Sequence, residues 1–496
     1  MGELRFAVYP PERLNEFSDL NEAYVVGPDR VPWPSEIVVE DGQIVCRHRL
    51  EQSGAFYLPW PVSGHGRPVL GTATLMERDQ PYHLQVELAR GKVNQLRNQL
   101  AEWKAIGLAV DSHIAALVTE AQHRLAVAAV KQDEPAQAGV EAEEALTAAL
   151  QAADALVAAY CEQALAVRHR QYAQFGSLLS CWLSGEPPDA AGNGLFLRSF
   201  NSAGVPFNWR LIEPAEGNYR WDTCDAQVNW CLENRLAVRG GPLLCLSPDW
   251  LPDWLWLWEG DFPNVLQFVS DIIETVVARY QGKIRLWETS ARANSADVLG
   301  LSEEQLLRLT VRALEVARQI DPDGQYTIRI DQPWGCYLAR ARRQLSPLHF
   351  ADALIRADLG VAGVNLEINM GYRPGGTAPR DLMEISRLID LWTFLGVPLQ
   401  VTLGFPSSAG PDPGATKQAT CPPGVWPREW DEQAQAQWVR KCVALLLAKP
   451  GVQAVGWCHF SDAQWHEWPH AGLVRPDGSP KPALEEFARL RAAHVR

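Results

Sequence analysis

Several features that mark other classes of protein are missing from this sequence. Its ten cysteines include no Cys-x-x-Cys pair, so neither a disulfide framework nor a zinc-binding pattern is indicated. No apolar run approaches the length of a bilayer span, which argues against a membrane protein. Acidic residues outnumber basic ones, and the formal net charge of −14 argues against a nucleic-acid partner.

The N-terminus lacks a basic segment followed by an apolar run, which is the pattern of a secretory signal. Several cysteines lie in apolar contexts, and together these features favour a cytoplasmic protein with reduced, buried thiols. No glycine-rich phosphate loop is present, and His459, His466 and His470 are too loosely spaced to predict a metal site. We therefore expect neither a metal nor a cofactor.

Tryptophan is abundant, with 20 residues. About half can be assigned to the core, but flat indole faces also stack on sugar rings. The composition is therefore compatible with a poly- or oligosaccharide partner.

The length of 496 residues predicts two or three domains. Residues 1–90 alternate apolar and polar runs with proline and glycine between them, which predicts a small β-rich, sandwich-like domain. Such a domain could bind sugar or could serve only as a packing module, and the sequence leaves both possibilities open.

Residues 91–172 have little proline and much alanine, and their apolar residues alternate in steps of three and four. This seam runs from Val93 to Ala121 and resumes from Leu146 to Val167, with a polar break around Asp133. The pattern predicts an antiparallel hairpin of two long helices. The hairpin could join copies into a homo-oligomer, or it could pack against the rest of the chain.

Residues 173–496 alternate strand-like and helix-like segments, the pattern of a parallel sheet with crossover helices. Eight such units predict an α/β domain, a (β/α)₈ barrel whose site lies at the C-terminal ends of the strands. The predicted strands are 178–182, 204–209, 236–246, 284–289, 326–330, 363–368, 399–403 and 452–459.

Several motifs occur in a fixed order along this part of the chain. The segment 213–221 reads Glu-Pro-Ala-Glu-Gly-Asn-Tyr-Arg-Trp, and residues 238–243 form a strand ending in glycines. Near the C-terminus, Gly-Trp-Cys-His-Phe-Ser-Asp at 456–462 leads to Lys-Pro-Ala at 481–483. Together these motifs resemble glycoside hydrolase family 10, whose best-known members are endo-β-1,4-xylanases. The resemblance covers roughly residues 175–496 and implies a barrel that cleaves polysaccharides.

The resemblance fails at the two catalytic glutamates of the family. The family's acid/base ends strand 4 in a Trp-Asp-Val-Val-Asn-Glu run, and the matching run here, from Trp287, ends in Arg292. The nucleophile ends strand 7, where Leu403 stands. An arginine cannot donate a proton at neutral pH, and a leucine cannot attack carbon. In the inner sugar subsite, Asn208 and Gly241 replace a lysine and a histidine.

The remaining acids at strand ends are the candidate catalytic groups. Glu367 ends strand 6, where the family usually has glutamine, and period-two alternation places Asn365 and Asn369 on its face. Glu288 should point into the barrel on strand 4, either for catalysis or in an ion pair with Arg292 or another neighbour. Asp331 directly follows strand 5.

Two hypotheses follow. One is a glycoside hydrolase with Glu367 as its main acid and Glu288, Asp331 or Asp462 as partner, where a strand 4 to strand 6 pair favours inversion. The other is a sugar-binding or scaffold pseudoenzyme. The residues expected to contact sugar are Asn208, Trp209, Arg239, Trp287, Arg292, Trp334, Asn369, Tyr372, Trp457, His459, Asp462 and Trp465.

Overall fold

The computed structural model of the protein describes residues 2–16, 20–48, 52–341 and 343–496. Met1 is the first residue of the N-terminal segment discussed above as a possible secretory signal, and it lies outside the described residues. Within the described part of the chain, no helix combines the length and hydropathy needed to cross a bilayer.

Two four-stranded sheets face each other in the N-terminal domain. Phe6 of one sheet stacks on Phe56 of the other at 4.7 Å, so the two sheets share a core. Asp41 and Gly42 both have positive φ, the backbone that a two-residue hairpin between right-twisted strands requires. In spatial order, the strands are Ser35–Glu40, Gln43–His48, Gly2–Ala7 and Tyr82–His83 in the first sheet, and Pro32–Trp33, Tyr24–Val26, Ala55–Pro59 and Val69–Gly71 in the second.

The helical segment contains three helices where the heptad pattern indicated two: α1 Leu84–Ala105, α2 Ser112–Val130 and α3 Pro135–Gln171. The additional break has a local cause. Gly107 has φ of 99°, outside the helical region, and the Asp111 carboxylate caps α2 by accepting a hydrogen bond from the Ile114 N–H. The sequence pattern did not reveal this break, because Gly107 and Val110 still fit the steps of three and four residues.

The apolar faces of α1 and α3 are buried within the chain. Leu96 and Leu156 belong to the same core cluster as the barrel residues, and Trp103 stacks on Tyr160 at 4.2 Å. A buried ion pair, with the Lys92 Nζ 2.8 Å from the Asp381 Oδ2, joins α1 to the barrel. The seam therefore packs against the barrel, which was one of the two alternatives.

Eight parallel strands close the barrel, as the alternation predicted. The third strand is in two pieces, because Gly241 has φ of 131° and Pro242 has no N–H to contribute to the ladder. The second strand ends before Trp209, which begins a short helix instead. The strands are Leu178–Trp182, Ser202–Val205, Ala237–Gly240 with Leu244–Cys245, Leu286–Ala291, Gln325–Asp331, Val361–Asn369, Leu399–Gly404 and Val452–Trp457, referred to below as barrel strands 1 to 8.

Amphipathic helices surround this sheet and bury its outer face. The α-helices of the barrel are Ala190–Ser199, Trp209–Ile212, Asp222–Glu233, Phe262–Tyr280, Glu303–Ile320, Pro347–Arg356, Leu382–Thr393, Glu432–Ala448 and Pro482–His494. Short 3₁₀ helices cover Pro11–Glu16, Leu20–Glu22, Asp253–Trp258 and Cys336–Ala339.

The N-terminal domain is docked on the barrel through backbone contacts. The N–H of Arg67 donates to the carbonyl of Val425, and the N–H of Val69 donates to the carbonyl of Pro379, both at 2.8 Å. A Cβ on Gly66 would lie 2.5 Å from the Val425 carbonyl oxygen, so this approach requires glycine. The two domains therefore meet beside the loops that follow barrel strands 6 and 7.

Leu96 tests the packing of the helical segment on the barrel. Because this side chain is fully buried, Leu96→Ala should lower the free energy of unfolding by about 2–5 kcal/mol. Urea denaturation followed by fluorescence measures the change. Ile106→Ala, at a side chain 74% exposed just after α1, is the control and should leave the midpoint nearly unchanged. Equal midpoints for the two variants would contradict this packing.

Candidate active site

Arg292 follows barrel strand 4 directly and lies at the centre of the C-terminal face. Its φ of 63° puts a non-glycine residue in the left-handed region, a conformation that neighbouring contacts must hold. Its N–H donates to the carbonyl of Arg329, and its own carbonyl accepts from the N–H of Ser295. The backbone thus turns the guanidinium across the barrel toward strands 6 and 8.

Two carboxylates hold this guanidinium. The Glu367 Oε1 lies 2.6 Å from Nη2 and its Oε2 lies 3.2 Å from Nε, while the Glu467 Oε1 lies 2.6 Å from Nη1 and its Oε2 lies 2.9 Å from Nη2. Asn369 donates a further hydrogen bond of 2.8 Å to Glu367. Both contacts are bidentate, which is the strongest arrangement for an arginine and a carboxylate. We call these four residues the Arg292 cluster.

The charges of the cluster reinforce one another. Burial alone would raise the pKa of Glu367, but Arg292 and then Arg329 outweigh it and lower that pKa to about 2. Burial also acts against ionisation of Glu467, and Arg292 again outweighs it and lowers the pKa. Both carboxylates are therefore ionised at neutral pH. Glu367 cannot donate a proton in this arrangement.

A second ionic layer lies deeper in the barrel. The Glu288 Oε1 lies 2.6 Å from the Arg329 Nη2, and the Glu288 Oε2 accepts a hydrogen bond of 2.6 Å from Asn365. Asn365 also donates to Thr402 on barrel strand 7 at 3.0 Å. Arg239 donates to Gln400 nearby, and burial lowers the pKa of Arg239 to about 10. Glu288 is thus paired with a neighbour other than Arg292.

Asp331 lies beside the Arg292 cluster. It pairs in register with Glu367 across strands 5 and 6. Its carboxylate accepts a hydrogen bond of 2.9 Å from the Ser295 hydroxyl and one of 3.0 Å from Gln332. Burial, and then the charge of Glu367, raise the pKa of Asp331. Two neighbouring acids therefore have pKa values shifted in opposite directions.

Barrel strand 7 presents no acid to the mouth. Thr402 points inward, as its hydrogen bond to Asn365 shows, so alternation turns Leu403 outward into the core. The inward position at the strand end belongs to Gly404, where a Cβ would lie 2.4 Å from the Asn369 Oδ1. Leu403, which the family resemblance puts at the position of the nucleophile, precedes this inward position by one residue.

The end of barrel strand 8 forms a separate buried network. The Asp462 Oδ1 lies 3.0 Å from the His459 Nε2, and its Oδ2 lies 2.5 Å from the Lys481 Nζ. Burial lowers the pKa of His459, which favours the neutral imidazole. Ligand atoms of His459, Asp462 and His466 lie within 4.8 Å of one another, close enough for a metal ion. The ammonium group of Lys481 already supplies a positive charge next to the Asp462 carboxylate.

Most of the expected sugar-binding aromatic residues contribute to packing. Trp287 donates to Asp321 and Trp457 to the Ala471 carbonyl, and both rings lie in the core. Trp209 donates to Glu213 at 2.7 Å. Three further expected residues make other contacts: Asn208 lies at the start of the short helix, Tyr372 packs against Trp468, and Trp334 lies under Arg380.

Trp465, another expected aromatic residue, is partly exposed. It meets the buried Trp250 edge to face at 5.8 Å, and the Trp250 Nε1 has no hydrogen-bond partner among the described residues. The loop that carries Trp465 also carries Glu467.

The comparisons with known proteins match this barrel. The model of glycosyl hydrolase family 10 matches residues 169–328. Endo-1,4-beta-xylanase B of Thermotoga neapolitana is 28% identical over 135 residues, which are 26% of this chain and 38% of that protein. Endo-1,4-beta-xylanase C of Paenibacillus barcinonensis is 32% identical over 102 residues, which are 19% of this chain and 9% of that protein. The matches thus span well under half the length of these relatives.

Among solved structures, native xylanase 10B from Thermotoga maritima aligns with 18% identity and a TM-score of 0.48, over 64% of this chain and 94% of that one. A mutant of Xylanase10C from Cellvibrio japonicus in complex with xylopentaose aligns with 17% identity and a TM-score of 0.48, over 64% of this chain and 68% of that one. The chain carries a family 10 xylanase-like (β/α)₈ barrel.

Two residues of this family 10-like barrel were missed in the sequence. Arg329 shares a face of barrel strand 5 with Asp331, so the alternation that placed Glu367 could have placed it as well. Glu467 lies in a loop with no periodicity, and nothing in the sequence pairs it with Arg292. Its role depends on how the loop after strand 8 folds back over the mouth.

The pKa of Glu367 makes a prediction about stability. Its folded pKa lies below the usual 4.5, so the ionised carboxylate stabilises the fold above about pH 4.5, and this contribution is lost as the pH falls toward 2. Glu367→Gln should therefore destabilise the protein by nearly the same amount at pH 7 and pH 5, and by clearly less at pH 3. Chemical denaturation at the three pH values measures the difference.

Glu315→Gln, at an exposed glutamate on the helix after strand 4, is the matched control for this experiment. It should change the free energy of unfolding little at any of the three pH values. A loss for Glu367→Gln that is the same at pH 7 and pH 3 would show that the carboxylate is not held ionised by the cluster.

Proposed function

We propose that this protein binds a poly- or oligosaccharide at the C-terminal face of its barrel and does not hydrolyse it by the family 10 double displacement. One observation carries the proposal. Arg292, at the position that matches the family's acid/base, is bound by Glu367 and Glu467 in two bidentate ion pairs. A guanidinium in this position cannot protonate a leaving group.

The nucleophile side of the mouth supports the same proposal. Retaining glycosidases need a second carboxyl group about 5–5.5 Å from the acid/base. The inward position at the end of barrel strand 7 is Gly404, and the space a side chain would need there is taken by Asn369. Restoring a nucleophile at this position would therefore require Asn369 to move as well. A substitution at Gly404 alone would not rebuild the family's active site.

The sugar partner is proposed from the family 10-like barrel and from the rim of its mouth. Trp465 is partly exposed beside the buried Trp250, and half-buried Trp254, Trp256 and Trp258 form a second aromatic stretch after barrel strand 3. Aromatic faces with nearby polar groups are the usual make-up of a ligand site. The buried Arg292 cluster then forms the floor beneath the rim.

Hydrolysis gives the first test. The purified full-length protein should release no reducing ends from xylan above the background of a blank reaction. A 2-fluoro glycoside inhibitor, which traps a strand 7 nucleophile, should leave peptide 399–405 unlabelled in mass spectrometry. Covalent label anywhere in that peptide would sink the proposal.

Binding gives the second test. Xylohexaose titrated into the protein in a calorimeter should bind, and Trp465→Ala should weaken the affinity by about tenfold or more, or roughly 1.4 kcal/mol. Phe394→Ala, at a ring 87% exposed after the helix that follows strand 6, is the control and should leave the affinity unchanged. If neither xylohexaose nor any member of a plant and algal polysaccharide panel binds, the sugar-binding function fails.

A second candidate function, hydrolysis with relocated acids, is favoured by the opposed pKa shifts of Asp331 and Glu367. Neighbouring carboxyl groups whose pKa values are shifted in opposite directions can serve as acid and base. In this case Asp331, whose pKa is raised, would donate the proton, and Glu367 would stay ionised. Substrate could reach them only after the loop with Glu467 moves away from Arg292.

The Asp331 variant separates the two candidate functions. If any polysaccharide in the panel is cleaved, Asp331→Asn should reduce turnover by about 10²–10⁴-fold, the usual contribution of a general acid. Glu315→Gln is the control for a surface change. Cleavage that survives Asp331→Asn would exclude this acid, and Glu288 would be tested next.

A further inference from the structure

A cavity of about 150 Å³ lies between the N-terminal domain and the barrel, away from the Arg292 cluster. The second sheet of the N-terminal domain forms one wall, and the loop after barrel strand 5 and the helix Leu382–Thr393 form the other. Tyr24 and Tyr57 stack at 5.3 Å in the first wall, and Trp334 and Trp392 line the second. The cavity is therefore walled by aromatic rings contributed by two domains.

Arg380 lines this cavity and is only 3% exposed. Its Nη2 donates a hydrogen bond of 2.7 Å to the Tyr24 hydroxyl, and its Cζ lies 4.6 Å from the centre of the Trp334 ring. Its Nε and Nη1 have no hydrogen-bond partner in the described ranges, and no described carboxylate forms an ion pair with it. Burying a guanidinium without an anion is costly, and cation–π contact offsets only part of that cost.

The other charges around the cavity compensate this guanidinium only in part. Arg30 and Arg387 also line it, against two acids, Asp29 and Glu384, so three positive charges face two negative ones. Glu384 is already engaged, with its Oε1 3.4 Å from the Arg387 Nη1. The cavity lining therefore carries a small excess of positive charge, although the whole chain has a net charge of −14.

We propose that this cavity binds a small organic acid in which one carboxylate is carried on a ring. The carboxylate would take the free donors of Arg380, since charge-assisted hydrogen bonds to a buried guanidinium are the strong ones. The ring would lie between the tyrosine and tryptophan walls. The cavity is smaller than the roughly 300–1,000 Å³ of pockets that hold drug-sized ligands, so a small ligand is expected. This site stands apart from the barrel mouth and does not depend on the function proposed there.

Calorimetric titration of the full-length protein tests the proposal with four probes. Benzoate carries its carboxylate on an aromatic ring, and D-glucuronate carries its carboxylate on a sugar ring. Benzamide keeps the ring but lacks the carboxylate, and inorganic phosphate is an anion without a ring. We expect one of the two acids to bind at least tenfold more tightly than both benzamide and phosphate. No binding by either acid, or equal binding by benzamide or phosphate, would overturn the proposal.

Two variants locate the binding without removing Arg380, whose hydrogen bond to Tyr24 also joins the domains. Leu391→Trp fills the cavity from the surface of its helix and should abolish binding of the acid. Arg387→Gln removes a positive charge at the edge and should weaken binding several-fold. Arg489→Gln, at a side chain 71% exposed on the C-terminal helix, should leave it unchanged.

Circular dichroism melting confirms that each variant folds before the titrations are compared. If the acid binds the wild type and binds Leu391→Trp equally well, it occupies some other place and the assignment is wrong. If Arg489→Gln weakens binding as much as Arg387→Gln does, the attraction comes from overall charge, and the cavity has no special part in it.

Discussion

The ion pairs of Arg292 with Glu367 and Glu467 hold together the parts of the barrel mouth whose side chains catalysis would require to be free. They join the end of strand 4 to the end of strand 6 and to the loop after strand 8. Each of the three groups is largely buried, and a buried charge without its partner would cost several kcal/mol. The left-handed backbone of Arg292, the ionised state of Glu367 and the closed position of the strand 8 loop are therefore mutually dependent.

Beneath this cluster the barrel is filled with further ionic and polar contacts. Glu288 with Arg329, Asn365 with Thr402, and Arg239 with Gln400 link strands 3 to 7 in a lower layer. Each of these contacts joins side chains that point into the barrel from different strands. An arginine at position 292 fits this interior because two carboxylates meet it, and replacing it by glutamate would place three acids together.

This arrangement has a functional consequence. In a two-carboxylate glycosidase the acids are kept apart and one stays protonated, whereas the acids of the Arg292 cluster share one cation and stay ionised. Asp331, by contrast, has a raised pKa and lies at the edge of the cluster. The proposal of binding without cleavage rests on this geometry. The packing of the N-terminal domain against the barrel forms a separate cavity with a small excess of positive charge.

The sequence by itself determined the eight-stranded barrel, because alternating strand and helix patterns admit few other topologies. It also determined that Glu367 and Asn369 share an inward face, since a strand has a period of two residues. Tertiary structure decided what these side chains meet. The contact of Glu467 with Arg292 spans 175 residues and passes through an aperiodic loop. The break between α1 and α2, the outward turn of Leu403, and the placement of Trp334 beside Arg380 likewise depend on backbone torsion angles and domain docking, which residue spacing does not encode.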